Sequence, residues 1–126
     1  PVSAFDGHTP SNNPLRYSGP VYLLIGTQTF SSALLCAVAA RDYGLATIVG
    51  EETGEPVNST GEVYPGHSPQ LGLLFGFTTK FFTGPKPRPD MQGVLPDVRI
   101  VPTREDIVAG RDPVLAYAVK AATGAR

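Results

Sequence analysis

Apolar and polar positions change rhythm several times along the chain, and each change marks an element. Val21 to Ile25 form a short unbroken apolar run closed by Gly26, the pattern of a strand covered on both faces. From Ser32 to Tyr43 the rhythm differs. Ala33, Leu34, Leu35, Cys36, Ala37, Val38, Ala39 and Ala40 follow one another without a polar face, which predicts a mostly buried helix with Cys36 as a small core residue. Gly44 stands where such a helix ends in a left-handed residue. "LATIVGEETGEP" then predicts a second short strand running into a Gly-rich turn. Strand, helix and strand in about thirty residues make a βαβ unit with a right-handed crossover.

Further along, "LGLLFGFTTKFF" has the aromatic and Thr content of a strand, with interior glycines that suggest a bulge or a close backbone approach. "TGPKPRPDMQG" reads as a proline-stiffened loop, and "DVRIV" alternates as a last strand would. Thr103 and Asp106 stand at the spacing of a capping box, with Asp in place of the usual Glu. Asp112 followed by Pro113 opens a final helix. Residues 1–19, rich in Pro, Ser, Asn and Gly, read as an extended lead-in, and 20–126 as the ordered part.

Composition narrows the classes of function. The 126 residues suit one domain, and 41% hydrophobic against 17% charged residues is the balance of a folded chain. A net charge of −1, with no basic run, excludes a nucleic-acid footprint. One cysteine excludes an internal disulfide, and no Cys/His spacing points to a metal, so neither metal nor cofactor is expected. No apolar stretch reaches the ~18 residues of a membrane span, and the first residues lack the pattern of a signal peptide.

The candidate chemistry centres on "TFSSA". A hydroxyl at a strand-to-helix junction lies beside free N–H groups and the positive end of a helix dipole, where an oxyanion could be held. Ser and Thr are equally the preferred helix caps, so Thr29, Ser31 and Ser32 each have a structural reading, and a GxSxG elbow is absent. A serine nucleophile also needs a base. His8 lies in the lead-in and His67 among the turn formers of "YPGHSP", so neither is a convincing partner. Asp90 and Asp97 flank "MQGVLP", where turn chemistry is the ordinary role of a carboxylate. Lys80, Lys86 and Lys120 show no demonstrable pairing in the sequence.

In combination, "GPVYLLIGTQTFSSALLCAVAARDYGLATIVGEETG" and the later "GVLPDVRIVPT" resemble the S41 serine peptidases, the tail-specific or C-terminal processing family with the tricorn core proteases. The resemblance runs over roughly residues 18 to 102 and implies the C-terminal half of a catalytic domain. It implies an α/β fold of the ClpP/crotonase-like ββα spiral type, a mixed sheet with a buried helix, present here as a partial domain. It puts the nucleophile at Ser31 and an oxyanion-hole donor at the N–H of Ser32. The Lys of the family's Ser-Lys branch would fall at Glu55 or Pro56. The other branch, Ser-His-Glu, implies a His from an upstream segment and places the orienting acid at Asp90. A peptide or protein substrate follows, with the upstream half of the same domain as a partner and a homo-oligomer left open. Export of family members implies a periplasmic or extracellular setting. Two other readings stay beside it: a non-catalytic S41-like module binding a peptide or apolar ligand, and a crotonase-type acyl-CoA enzyme, which the motif order fits less well.

Overall fold

The computed structural model describes residues 14–86 and 91–124. In chain order the elements are β1 (Tyr22–Ile25), α1 (Ser32–Tyr43), β2 (Thr47–Gly50), β3 (Ser59–Ser68), β4 (Leu73–Phe82), β5 (Val98–Arg99), α2 (Arg104–Val108) and α3 (Pro113–Thr123). The βαβ unit is present as β1, α1 and β2. The two strands run parallel with Tyr22 opposite Thr47 and Ile25 opposite Gly50, and Gly44 terminates α1 with φ 65°.

β5 joins the far side of β2, so the sheet order is β1-β2-β5 and all three strands are parallel. Asp97 secures that edge. Its N–H donates to the Ile48 carbonyl at 2.8 Å, and its carboxylate accepts the Ile48 N–H at 2.8 Å. The Asp of the "GV.PD" motif therefore closes the ladder beyond the short β5.

Strand alternation separates the two faces of this sheet. Leu23, Ile25 and Ile48 face a cluster with Leu34, Ala37 and Val38 of α1, joined by Val57 and Val94 from the connecting segments. α3 packs across β1 and β2 and closes the other face incompletely, since Leu24 remains 38% exposed. The expectation of a strand buried on both faces is thus met on one face only. The same holds for α1: Leu34, Ala37, Val38 and Ala40 are buried, whereas Leu35 and Cys36 are exposed. Cys36 is exposed and not a core residue, because among the described residues α1 is packed on one side alone.

β3 and β4 form a separate antiparallel pair, with Ser59 opposite Phe82 and Ser68 opposite Leu73. The expected single mixed sheet is therefore divided, among the described residues, into a parallel sheet and a hairpin. β3 carries no strand signal in the sequence, since Pro65, Gly66 and Pro69 are turn formers. Among the described residues β3 pairs with β4 alone, so Pro65 can sit opposite Gly76 with no ladder lost on its outer side. His67 belongs to this strand, exposed and opposite Leu74.

At the C-terminal end, the capping box forms fully: Thr103 Oγ1 accepts the Asp106 N–H at 3.1 Å and Asp106 accepts the Thr103 N–H at 3.1 Å. The Thr103 hydroxyl and N–H, with Arg111 beside them, hold the Asp106 carboxyl below its usual range. Asp112 caps α3 through the Leu115 N–H at 2.9 Å.

Two outcomes are expected. Ile48→Ala, at a site with no solvent exposure, should cost about 2–5 kcal/mol in urea unfolding, whereas Leu74→Ala on the hairpin should change stability by no more than ~0.5 kcal/mol. Because the folded-state carboxyl of Asp106 is depressed, its contribution is present above the unfolded carboxylate range and is lost as pH falls through the folded value. Thr103→Val should raise that midpoint, read from the Asp106 carboxyl resonance in a pH titration.

Candidate active site

β1 ends at Ile25, and the segment from Gly26 to Ser31 must redirect the chain into α1. Thr29 closes this reversal: its N–H donates to the Gly26 carbonyl at 2.8 Å, and its hydroxyl accepts the Gly26 N–H at 3.0 Å. Thr29 is thereby committed to the turn and does not cap α1.

Ser31 occupies the N-cap position of α1 without behaving as a cap. Its backbone lies at φ 54°, ψ −124°, and its side chain makes no capping hydrogen bond. An ordinary Ser cap is extended and uses its oxygen on the first-turn N–H groups. Here the oxygen is released and the residue is exposed. A positive φ in a residue other than Gly costs about 1–3 kcal/mol and persists only where the surroundings impose it. A sharp strand-to-helix turn also carries the serine in hydrolases with a GxSxG motif; here Thr29 and Ala33 stand at the two flanking Gly positions.

The surroundings that impose it come from the turn after β2. The Glu55 carboxylate accepts the Ser31 N–H at 2.5 Å, an acceptor from outside the helix that holds the amide in this orientation. No acidic residue occupies the first turn of α1, so Glu55 supplies the negative charge at this end of the helix dipole. Ser32 is the first helical residue and is also exposed. Its N–H has no acceptor among the described residues, as expected for an amide in a helix's first turn.

The Glu55 turn is itself pinned to the segment that follows Asp90 in sequence. Thr53, 6% exposed, donates its hydroxyl proton to the Glu55 carbonyl at 2.9 Å and accepts the Val94 N–H at 2.9 Å. Glu52 accepts the Gly93 N–H at 2.8 Å, and the Val57 N–H donates to the Gln92 carbonyl at 2.9 Å. Two motif glycines are required by these approaches. A Cβ on Gly54 would lie 2.2 Å from the Thr27 carbonyl oxygen, and one on Gly93 would lie 2.6 Å from the Thr53 carbonyl oxygen.

Ser31, Ser32 and Glu55 open onto a cleft of about 270 Å³, completed by Leu35, the base of the hairpin from Ser59 to Glu62, and Phe82. Glu62, itself at φ 55°, pairs with Lys80 at 2.6 Å on the far wall, a contact the sequence did not reveal. Ser31 and Ser32 are therefore brought together on one cleft. Asp90 lies outside the described residues, as does His8, and His67 does not line the cleft. Nothing in the sequence marks Glu55 and Thr53 as partners of Ser31, although both stand inside the "GEETGE" run. Among the described residues, no group of three His, Cys, Asp or Glu could hold a metal ion, and no helix is long and apolar enough to cross a membrane.

The described residues thus form a parallel α/β sheet with Ser31 at positive φ on the turn between β1 and α1. The model of peptidase family S41 matches residues 3–100, and the chain belongs to that family. Among solved structures it is similar in fold to the tricorn protease, with a TM-score of 0.57 and 20% identity over 87% of this chain. The chain spans 12% of the length of that tricorn chain. No curated protein matches it significantly.

One consequence can be measured directly. Because Ser31 carries a positive φ and makes no capping bond, Ser31→Gly should raise stability by about 1 kcal/mol despite the added freedom of the unfolded chain. A fall in the urea midpoint would instead show that the hydroxyl has a structural partner.

Proposed function

We propose that this chain is the C-terminal part of the catalytic domain of a serine-type endopeptidase, with residues 20–126 contributing to a ClpP/crotonase-like spiral fold. The observation that carries the reading is Ser31, exposed at a positive-φ elbow and free of the capping bond its position would ordinarily demand. In this mechanism the Ser31 oxygen attacks the scissile carbonyl carbon while a His from an upstream segment removes its proton. The carbonyl oxygen gains the negative charge, which the Ser32 N–H and the α1 dipole stabilise, with a second donor from the upstream segment. The same His then returns the proton to the leaving amine, and water hydrolyses the acyl-enzyme by the reverse roles.

Asp90 orients the His in this scheme, holding the tautomer that accepts the Ser31 proton. The pinning of Gln92 to Val94 against the Glu55 turn supports that assignment, because it ties the segment two residues beyond Asp90 to the turn that touches Ser31. The substrate is a peptide or protein, and a periplasmic or extracellular setting belongs to the same reading. Glu55 and Pro56 stand where the family's Ser-Lys branch has its lysine, so no amine is supplied there and a His base is favoured.

The test uses the full-length protein and the 126-residue chain side by side. The full-length protein should hydrolyse peptides and lose that activity with Ser31→Ala. Asp90→Asn should lower kcat by on the order of 10⁴ with the fold intact, and the 126-residue chain should be inactive. A full-length protein that binds peptide without cleaving it would establish the non-catalytic module instead.

A further inference from the structure

We propose that Glu55 is a positioning residue for the nucleophile, an inference that rests on the catalytic reading of Ser31. The argument starts from the alternative available to the elbow. A serine at an N-cap ordinarily turns to extended backbone and bonds its own oxygen to the helix's first N–H groups, which would take that oxygen out of play. Ser31 does neither. The Glu55 carboxylate, twenty-four residues away, takes the Ser31 N–H and so fixes the peptide plane in the orientation that a positive φ requires.

Glu55 can act as a fixed point because its own backbone is held. The Thr53 hydroxyl bonds the Glu55 carbonyl while accepting the Val94 N–H, and Gly54 allows the turn to approach Thr27 without a clash. A rigid path therefore runs from Val94 through Thr53 and Glu55 to the Ser31 amide. Its effect is geometric: it sets where the Ser31 oxygen lies, and a displacement near 1 Å at a reacting atom can cost roughly 10²-fold in rate. The requirement is an acceptor at the Glu55 side-chain oxygen, so an uncharged amide oxygen in the same place should serve.

The experiment compares Glu55→Gln and Glu55→Ala in the full-length protein. The rate of Ser31 phosphonylation by a fluorophosphonate probe, in which the Ser31 oxygen displaces fluoride from phosphorus, is measured together with kcat and KM for a peptide and the hydrogen exchange of the Ser31 amide. Glu55→Ala should slow labelling and kcat by about 10–100-fold with KM little changed, and the Ser31 amide should exchange faster. Glu55→Gln should stay within about threefold of the unmodified protein, since the acceptor is kept. Unchanged labelling in Glu55→Ala would overturn the proposal, as would Glu55→Gln falling as far as Glu55→Ala, which would show that the charge matters and not the acceptor. If Ser31 of the unmodified protein is not labelled at all, the catalytic reading fails first, and the role of Glu55 in catalysis fails with it.

Discussion

The Thr53 hydroxyl is the contact on which the rest of the site depends. It serves two backbones at once, donating to the Glu55 carbonyl and accepting the Val94 N–H, and it does so with almost no exposure to solvent. A side chain in that position cannot lose either bond without leaving a buried polar group unsatisfied. Two segments far apart in sequence, Glu52–Val57 and Gln92–Val94, are thereby fixed against each other, and Glu55 of the first bonds the Ser31 amide. Valine has the shape of threonine without its oxygen, so packing alone would not maintain this arrangement.

Those segments are also part of the core. Val57 and Val94 are fully buried with Leu34, Val38 and Ile48, which means that the residues flanking the polar bridge are fixed by the same packing that holds α1 on the sheet. The elbow is consequently clamped on both sides: α1 is anchored by its apolar residues, and the Ser31 amide by Glu55. Strain at a functional residue persists only when its neighbours determine it more strongly than its own preferences do, and here the neighbours are the core itself.

What the sequence made legible follows from this division. The βαβ unit, the Gly44 terminator and the two C-terminal caps depend on local patterns, and local patterns are enough to read them. The exposed face of α1 with Leu35 and Cys36 is not legible, because an all-apolar run does not say which side has a partner. β3 is not legible either, because Pro65 and Gly66 signal a turn and only the pairing with β4 alone, among the described residues, lets a strand accept them. The elbow was only half visible. Ser31 stood out through the order of motifs, whereas its released hydroxyl and the bond to Glu55 depend on a contact across twenty-four residues that no spacing rule encodes. Asp97 shows the converse, since a carboxylate with an ordinary turn role in the sequence ties β5 to β2 through Ile48.

The parallel order β1-β2-β5 has a further consequence for how the molecule forms. Neighbouring strands of this sheet are separated by a helix in one case and by the whole hairpin in the other, so each pairing closes a long loop before any contact rewards it. The hairpin needs no such closure and can zip on a scale of ~1–10 μs. Docking of β5 against β2 brings Gln92–Val94 to Thr53, so it belongs to the slow, non-local stage of folding. A nascent or partly opened chain can therefore carry a formed helix and hairpin while the serine still lacks its rigid support, and the hydroxyl becomes displayed only when the last strand is home.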